Sequence, residues 1–167
     1  MRKILMSFAA AAIVAASSGA QAVTITTTFQ VTATVLKTCS VSAAALAFTA
    51  YTPGAGQVTG STNVNVKCTK NTAFTVALDK GTTAGGTIPQ RLMANGANTL
   101  EYNLFTTSGG ATIFGDGTGG SQTVPGTGAG VATAVAVPVF GTLPDSANNQ
   151  NAVPGAYADT ITVSVNY

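Results

Sequence analysis

Two cysteines, Cys39 and Cys68, are the residues of this sequence best suited to covalent chemistry. In an oxidising compartment, an isolated pair most simply forms one disulfide. The bond would close a loop of about 30 residues, which the chain-entropy model values at about 3–4 kcal/mol. The alternative is a metal site, but the sequence contains no His, and two thiols do not fill a zinc shell. We therefore predict a Cys39–Cys68 disulfide and no metal site.

Catalytic chemistry has little support in the residue types. General acid–base catalysis most often uses His, which is missing. The carboxylates are scattered along the chain, and most lie beside turn residues, which is typical of Asp in surface turns. They are Asp79, Glu101, Asp116, Asp145 and Asp159. We therefore do not expect an enzyme.

A glycine-rich stretch at residues 115–120, G-D-G-T-G-G, fits the spacing G-x-G-x-x-G. A dinucleotide site needs a strand before this motif and a helix after it. The residues that follow, S-Q-T-V-P at 121–125, do not start a helix of useful length. One Asp is also too few oxygen ligands for a calcium loop. We attribute the match to glycine content and expect no cofactor.

The first 22 residues have the pattern of a secretory signal peptide. Arg2 and Lys3 precede an uncharged, largely apolar run at residues 4–16, and A-Q-A at residues 20–22 fits a small-x-small cleavage site. The alternative is an uncleaved membrane anchor, but the run is shorter than the about 20 residues of a spanning helix. We expect export and cleavage between Ala22 and Val23.

The charge balance changes once this segment is removed. Arg2 and Lys3 leave with it, and the remaining basic residues equal the acidic ones in number. No basic patch is left to neutralise phosphates, so nucleic acid is not an expected partner. A near-neutral surface also offers little electrostatic resistance to self-association.

The elements that position these residues are predicted to be strands. Thr, Val, Gly and Ala dominate after residue 22, and several segments alternate between apolar and polar residues. Pro138 indicates an edge or a bulge. Residues 108–130 are interpreted as long surface loops anchored by residues 112–114 and Val124. The predicted strands, which together suggest an all-β sandwich, cover residues 35–41, 63–68, 73–78, 99–106, 132–140 and 157–167.

Residues 23–35 show the clearest alternation. Thirteen residues is long for one strand, because about five or six is usual. The segment therefore either bends and changes partners or pairs in part with something outside its own sheet. Thr27 is the only interruption of the apolar face, which carries Val23, Ile25, Phe29, Val31, Ala33 and Val35.

Three stretches together resemble the spore coat protein U family, which includes major subunits of archaic chaperone–usher pili. The first is the alternating extension that runs into T-C-S-V at residues 38–41. The second is A-T-A-V-A-V-P-V-F-G at residues 132–141. The third is the ending P-G-A-Y-A-D-T-I-T-V-S-V-N-Y at residues 154–167.

The resemblance implies an incomplete immunoglobulin-like β-sandwich, the pilin fold, which lacks its last strand. Residues 23–33 would be an N-terminal donor strand and residues 34–167 the sandwich domain. A periplasmic chaperone would cover the open groove, and at an outer-membrane usher the extension of the next identical subunit would replace it. The product would be a head-to-tail polymer on the cell surface that supports adhesion and biofilm formation.

The resemblance also assigns roles to residues. Thr27 would be a weak anchor within the donor strand, and the disulfide would tie the first strand of the domain to the second. The inward donor residues would be Val23, Ile25, Phe29, Val31 and Ala33. The groove would be bordered by the first and last strands of the domain, with edge residues Val35, Val41, Ile161, Val163, Val165 and Tyr167.

Two other functions stay open from the sequence. One is a spore-coat or surface-coat component of the same family that builds no pilus. The other is a secreted monomeric binding module, for instance for a sugar. Sugar sites typically use exposed Trp or Tyr, whereas this chain has no Trp and most of its Phe residues lie within apolar alternation.

Overall fold

The structure is a computed structural model that describes Gly19 and residues 21–167. The chain falls into two units, Met1–Thr34 and Val35–Tyr167. The predicted signal peptide at residues 1–22 lies almost wholly outside the described residues. None of the helices within the described part of the chain has the length and hydropathy needed to cross a membrane.

In the first unit, residues 21–34 have exposed side chains and form no strand. The predicted strand over residues 23–35 is therefore not formed within a single copy of the chain. A strand is defined by its hydrogen-bonded ladder, and these residues have no ladder partner in the part of the chain that the structure describes.

Strands are nearly all of the regular secondary structure that the second unit contains, as its composition predicts. Its only helix among the described residues is a single turn, capped by the Ser146 hydroxyl, which accepts a hydrogen bond from the Asn149 backbone. The elements are β1 (Cys39–Ala43), β2 (Val58–Cys68), β3 (Ala73–Leu78), β4 (Arg91–Asn95), β5 (Asn98–Phe105), β6 (Val124–Thr127), β7 (Val135–Leu143), α1 (Ala147–Gln150) and β8 (Val163–Asn166).

These strands form two sheets whose ladders are all antiparallel. The first has the order β1-β2-β7-β5-β4, and the second has the order β6-β3-β8. Alternation within each strand turns one face of each sheet toward a shared apolar core. The predicted all-β sandwich is thus confirmed, and its core contains Val64, Val66, Phe74, Val76, Leu78, Tyr102, Leu104, Phe114, Val137 and Val139.

Several strand predictions agree with the structure, and others needed correction. The predicted strands at 63–68, 73–78 and 99–106 fall within or almost on β2, β3 and β5. The strand predicted at 35–41 begins later, as β1, and the one predicted at 157–167 shrinks to β8. Strands β4 and β6 were not predicted, and β6 lies within the region interpreted as loops. The anchor at Phe114 in that region is fully buried.

Pro138 lies in β7, which is a central strand of the larger sheet. It pairs with Asn63 of β2 on one side. On the other side, the ladder to β5 ends at Phe105 and Phe140, before Pro138 is reached. The strand is therefore locally an edge at Pro138, where a missing backbone donor is tolerated.

Candidate functional site

The second unit has an open groove with a volume of about 900 Å³. Its floor consists of core side chains, among them Val64, Leu104 and Val139. Two chain segments form its rims, residues 43–51 on one side and residues 157–163 on the other. The groove is thus a place where the apolar core opens to solvent between two rims.

The first rim leaves the sheet where the β1–β2 ladder ends, at Ala43 and Val64. The Thr62 hydroxyl of β2 donates to the carbonyl of Ala44 at 3.0 Å, which holds the start of the rim beside that strand. Beyond this point, residues 44–50 belong to no strand. Their backbone is therefore free of any ladder within the part of the chain that the structure describes.

Leu46 and Phe48 turn inward from this rim and are half-buried against the core. They cover a gap between Gly60 and Gly141, which are paired across β2 and β7. A Cβ atom on Gly141 would lie only 2.9 Å from Cζ of Phe48. The two glycines thus let the rim pack closely on the sheet.

Asp145 fixes the far end of the first rim. Its carboxylate accepts hydrogen bonds from the Tyr51 hydroxyl at 2.5 Å, the Gly54 backbone at 3.0 Å and the Gly56 backbone at 3.1 Å. The bond from Tyr51 is the main cause that lowers the pKa of Asp145, followed by that from Gly54. The rim is therefore tied to the segment that precedes α1.

The second rim is residues 157–163, of which Val163 is the first residue of β8. Strand β8 pairs with β3 on one side and lies at the edge of its sheet on the other. Two hydrogen bonds, at 2.9 and 3.0 Å, join Ala158 to Ala94 of β4. Thr162 is held by both the backbone and the carboxylate of Asp79, at 3.1 and 2.9 Å. The bond from the Asp79 backbone continues the β3–β8 register by one residue, whereas Ala158 is held by β4, so pairing with β3 ends near Thr162 and β8 is shorter than predicted.

A hydrogen-bonded polar pair lies among the side chains that line the groove. The Tyr102 hydroxyl donates to Oδ2 of Asp159 at 2.7 Å, and both residues line the groove. The other carboxylate oxygen of Asp159 accepts from the backbone and hydroxyl groups of Thr82 and Thr83 at 3.0–3.1 Å. Burial, followed by the bond to Asp159, raises the pKa of Tyr102 well above its usual value. Tyr102 therefore stays a neutral hydroxyl.

Arg91 is fully buried outside the groove lining, with 0% of its surface exposed. Its guanidinium donates to the carbonyls of Asp79 at 2.7 and 2.9 Å and Phe114 at 2.8 Å, and to Oδ1 of Asn103 at 2.7 Å. Burial lowers the pKa of Arg91. The side chain ties the Asp79 loop, which holds Thr162, to the rest of the domain.

The predicted groove-edge residues separate into two groups. Ile161 and Val163 line the groove, whereas the other four do not. Val35 and Val41 precede the first rim and are exposed, Val165 is half-buried against the core, and Tyr167 is exposed at the chain end.

Sequence reasoning missed the first rim itself. Residues 44–50 have an apolar alternation at Leu46 and Phe48, but it is short and surrounded by Ala. That signal was present and could have located the rim. The Tyr102–Asp159 pair gave no such signal, because the two residues are far apart in sequence.

The residues predicted as a donor strand are strongly exposed. The exposed fractions of Val23, Ile25, Phe29 and Val31 lie between 80 and 91%. Ala33 is also exposed, as are Ala22 and Val23 at the predicted cleavage site. Large apolar side chains in such a row are unusual on a soluble surface.

The disulfide prediction is confirmed. Cys39 and Cys68 are bonded, and they are also the terminal pair of the β1–β2 ladder. The bond therefore joins the first residue of β1 to the last residue of β2.

The sequence matches the family model of the Spore Coat Protein U domain over residues 25–164. No curated protein has a significantly similar sequence. Among solved structures, the chain is similar to a crystal structure titled as the CsuC–CsuE chaperone–tip adhesion subunit pre-assembly complex of archaic chaperone–usher Csu pili from Acinetobacter baumannii. The TM-score is 0.56, the identity is 24%, and the match covers 80% of this chain and 41% of that chain.

The sheets, the groove and this likeness together define an immunoglobulin-like sandwich of the pilin type. Because the family model spans most of the sequence, the chain belongs to the Spore Coat Protein U domain family. The chain spans less than half the length of the solved chain that it matches.

Proposed function

We propose that this protein is a structural subunit of a surface pilus, built by the chaperone–usher pathway through donor-strand exchange. The observation that carries the proposal is the open groove, whose rims include backbone that joins no ladder among the described residues. A strand that enters the groove would pair with the second rim, which runs into the free edge of β8, and bury alternate side chains against the core.

An open groove of this kind must be covered, whatever the family of the protein. An open sheet edge beside exposed apolar surface promotes aggregation unless something covers it. An added strand satisfies the backbone and fills the core in one step, and chaperone–pilin complementation is a known example of this mode. Contact between the extension of one copy and the groove of another is heterologous, so it generates an open polymer.

The chain supplies a suitable strand. Residues 23–33 alternate, and their apolar side chains are exposed in a single copy. On this proposal, Val23, Ile25, Phe29, Val31 and Ala33 are the inward donor residues. The acceptor residues are Leu46 and Phe48 on one rim and Ile161 and Val163 on the other. Val35, Val41, Val165 and Tyr167 then lie outside the contact or at its ends.

The proposal includes partners and a location. The solved neighbour is a chaperone–subunit complex by its title, which supports a periplasmic chaperone as the first partner. An outer-membrane usher and identical subunits complete the pathway. Residues 1–22 would direct export, and the assembled fibre would support adhesion and biofilm formation. The role is structural, without catalysis.

The test compares Phe29→Asp with Gln30→Asp in cells that also produce the cognate chaperone and usher. Both side chains are exposed in the single subunit, so neither change should disturb its fold. Only Phe29 lies on the proposed inward face, and a buried, unpaired carboxylate there is strongly unfavourable. We expect Phe29→Asp to abolish fibres and Gln30→Asp to retain them.

Fibres are scored by electron microscopy of the cells, and subunit export is checked by immunoblotting of the periplasm. Normal fibres from the Phe29→Asp protein would contradict the proposal. So would a stable wild-type monomer that is secreted without a chaperone and never assembles.

A further inference from the structure

Tyr102 is a buried polar side chain of the groove lining, and its pair with Asp159 defines a polar level, whereas Thr49 and Thr160 line the groove but are exposed. The ring of Phe48 lies 6.3 Å from that of Tyr102, edge to face, so one rim, the floor and the other rim meet at this level. The Tyr102 hydroxyl uses its proton in the bond to Asp159. A phenolic oxygen that donates one hydrogen bond can still accept another.

The walls differ on the two sides of this polar level. After Asp159, the inward residues of the second rim are Ile161 and Val163, which are aliphatic. Before Asp159, the inward residue is Tyr157, which is aromatic. Along the rim, the order is therefore aromatic, polar, aliphatic, aliphatic.

The proposed donor segment has a matching order. Its inward series contains one polar residue, Thr27. Val23 and Ile25 precede it and are aliphatic, and Phe29 follows it and is aromatic. Read in the reverse direction, the donor series is aromatic, polar, aliphatic, aliphatic.

We infer that the donor strand of a second copy binds antiparallel to the second rim, in the register that places Thr27 opposite Asp159. Phe29 then lies opposite Tyr157, Ile25 opposite Ile161, and Val23 opposite Val163. The inference rests on the proposed function and specifies its register. The antiparallel direction agrees with every strand ladder of the domain.

The polar level selects this register. In this register the Thr27 hydroxyl can donate a hydrogen bond to the Tyr102 oxygen, so it is not buried without a partner. A slip by two residues keeps the alternation but places Ile25 or Phe29 at the polar level and Thr27 beside an apolar or aromatic wall. Thr27, which the resemblance makes a weak anchor, is then the residue that sets the register of the donor strand.

Cysteine pairs on the outward face of the two strands test the register. The inferred register places Thr26 opposite Thr160 and Thr24 opposite Thr162, and all four side chains are exposed. Directly opposed residues in an antiparallel pair lie within the Cα separation that a disulfide spans. A slip by two residues shifts one of them about 7 Å along the strand, which brings the Cα separation to about 8–9 Å, too far for a disulfide.

The full-length variants are Thr26→Cys with Thr160→Cys and Thr24→Cys with Thr162→Cys. The matched controls are Thr24→Cys with Thr160→Cys and Thr28→Cys with Thr160→Cys, which report the two slipped registers. The native cysteines are already paired with each other. Fibres are isolated, oxidised mildly and separated by gel electrophoresis with and without reductant.

We expect a reducible ladder of covalent multimers from the first two variants and its loss in both controls. Fibres whose ladder appears only with a control pair would overturn the register while leaving donor-strand exchange intact. If no variant forms fibres or crosslinks between copies although all are exported, the proposed function fails together with the inference.

Discussion

Gly60 and Gly141 face each other across the β2–β7 ladder, and together they leave the space that Leu46 and Phe48 occupy. A Cβ atom on Gly60 would lie 3.0 Å from the carbonyl oxygen of Ala47 and 3.1 Å from Cδ2 of Leu46. The position of the first rim on the sheet therefore depends on two residues that have no side chain. In both glycines, the constraint is the lack of space for a Cβ atom, since neither has a positive φ.

A larger residue in this gap should displace the rim. We expect Gly141→Val to lower the free energy of unfolding by about 1–3 kcal/mol, as overpacking of a well-filled core does. Equilibrium unfolding in urea, followed by circular dichroism, measures the change. Gly109→Ala is the matched control, because a Cβ atom there meets nothing within 4 Å. Equal stability of the Gly141→Val protein and the control would show that the rim does not rest on the gap.

The disulfide offers a second stability test. Replacing Cys39 and Cys68 together by Ala should reduce stability by about 2–4 kcal/mol, because the closed loop restricts the unfolded chain. Ala is preferred to Ser because Cys68 is fully buried. The urea midpoints of the variant and the wild type should converge when the wild type is reduced. A variant as stable as the oxidised wild type would refute the prediction.

The third prediction concerns the buried Arg91. Replacement by Met removes its donors and leaves the carbonyls of Asp79 and Phe114 without them. Unsatisfied buried groups cost about 1–3 kcal/mol each, so we expect a loss of about 2–6 kcal/mol for the two carbonyls. Arg91→Lys should recover only part of this loss, because an ammonium group cannot reproduce the planar fork of the guanidinium. Thermal unfolding of the two variants decides, and a fully stable Arg91→Lys protein would contradict the argument from geometry.

Stability should also fall in acid through Asp159. Burial favours the neutral carboxyl, but hydrogen bonds from Tyr102, Thr160 and Thr83 outweigh this effect and lower the pKa of Asp159 below the usual 3.8. The folded protein therefore releases this proton more readily than the unfolded chain. The stabilisation is complete above about pH 5 and is lost as the pH falls through the lowered pKa.

The variant Asp159→Asn isolates this contribution. It should be less stable than the wild type at pH 7, and the difference between the two should shrink as the pH falls below the usual carboxyl pKa, where the stabilisation from the carboxylate is progressively lost. Urea unfolding at pH 7 and at pH 3 provides the comparison. Glu101 and Asp145 also have lowered pKa values, so both proteins should retain some acid sensitivity. An unchanged difference at the two pH values would exclude Asp159 as the cause.

Much of the sandwich could be predicted from alternation alone. In β3, Phe74, Val76 and Leu78 are all buried, as their spacing of two residues requires. The same pattern located the core strands β2 and β5. Alternation predicts these strands because each has one face on a common core. The pattern can therefore be recognised within one segment, without knowledge of its partners.

The parts that were missed depend on contacts between distant segments. Arg91 is charged, and charged side chains are rarely fully buried, yet carbonyl groups from two loops satisfy its donors and make burial possible. The last strand was predicted too long because Ala94 of β4 pairs with Ala158, so the chain before Thr162 no longer pairs with β3. Alternation shows which face of a segment is apolar, but it does not show which partner pairs with its backbone.

Cys39 is the residue at which tension on the preceding segment would enter the domain. Any pull along residues 23–38 would otherwise open the β1–β2 ladder one pair at a time, beginning with Cys39 and Cys68. The disulfide at that first pair passes the load covalently to the end of β2, a strand that also pairs along most of its length with β7. The bond thus prevents such a pull from separating β1 from β2. The load is carried instead by the ladder between the central strands β2 and β7.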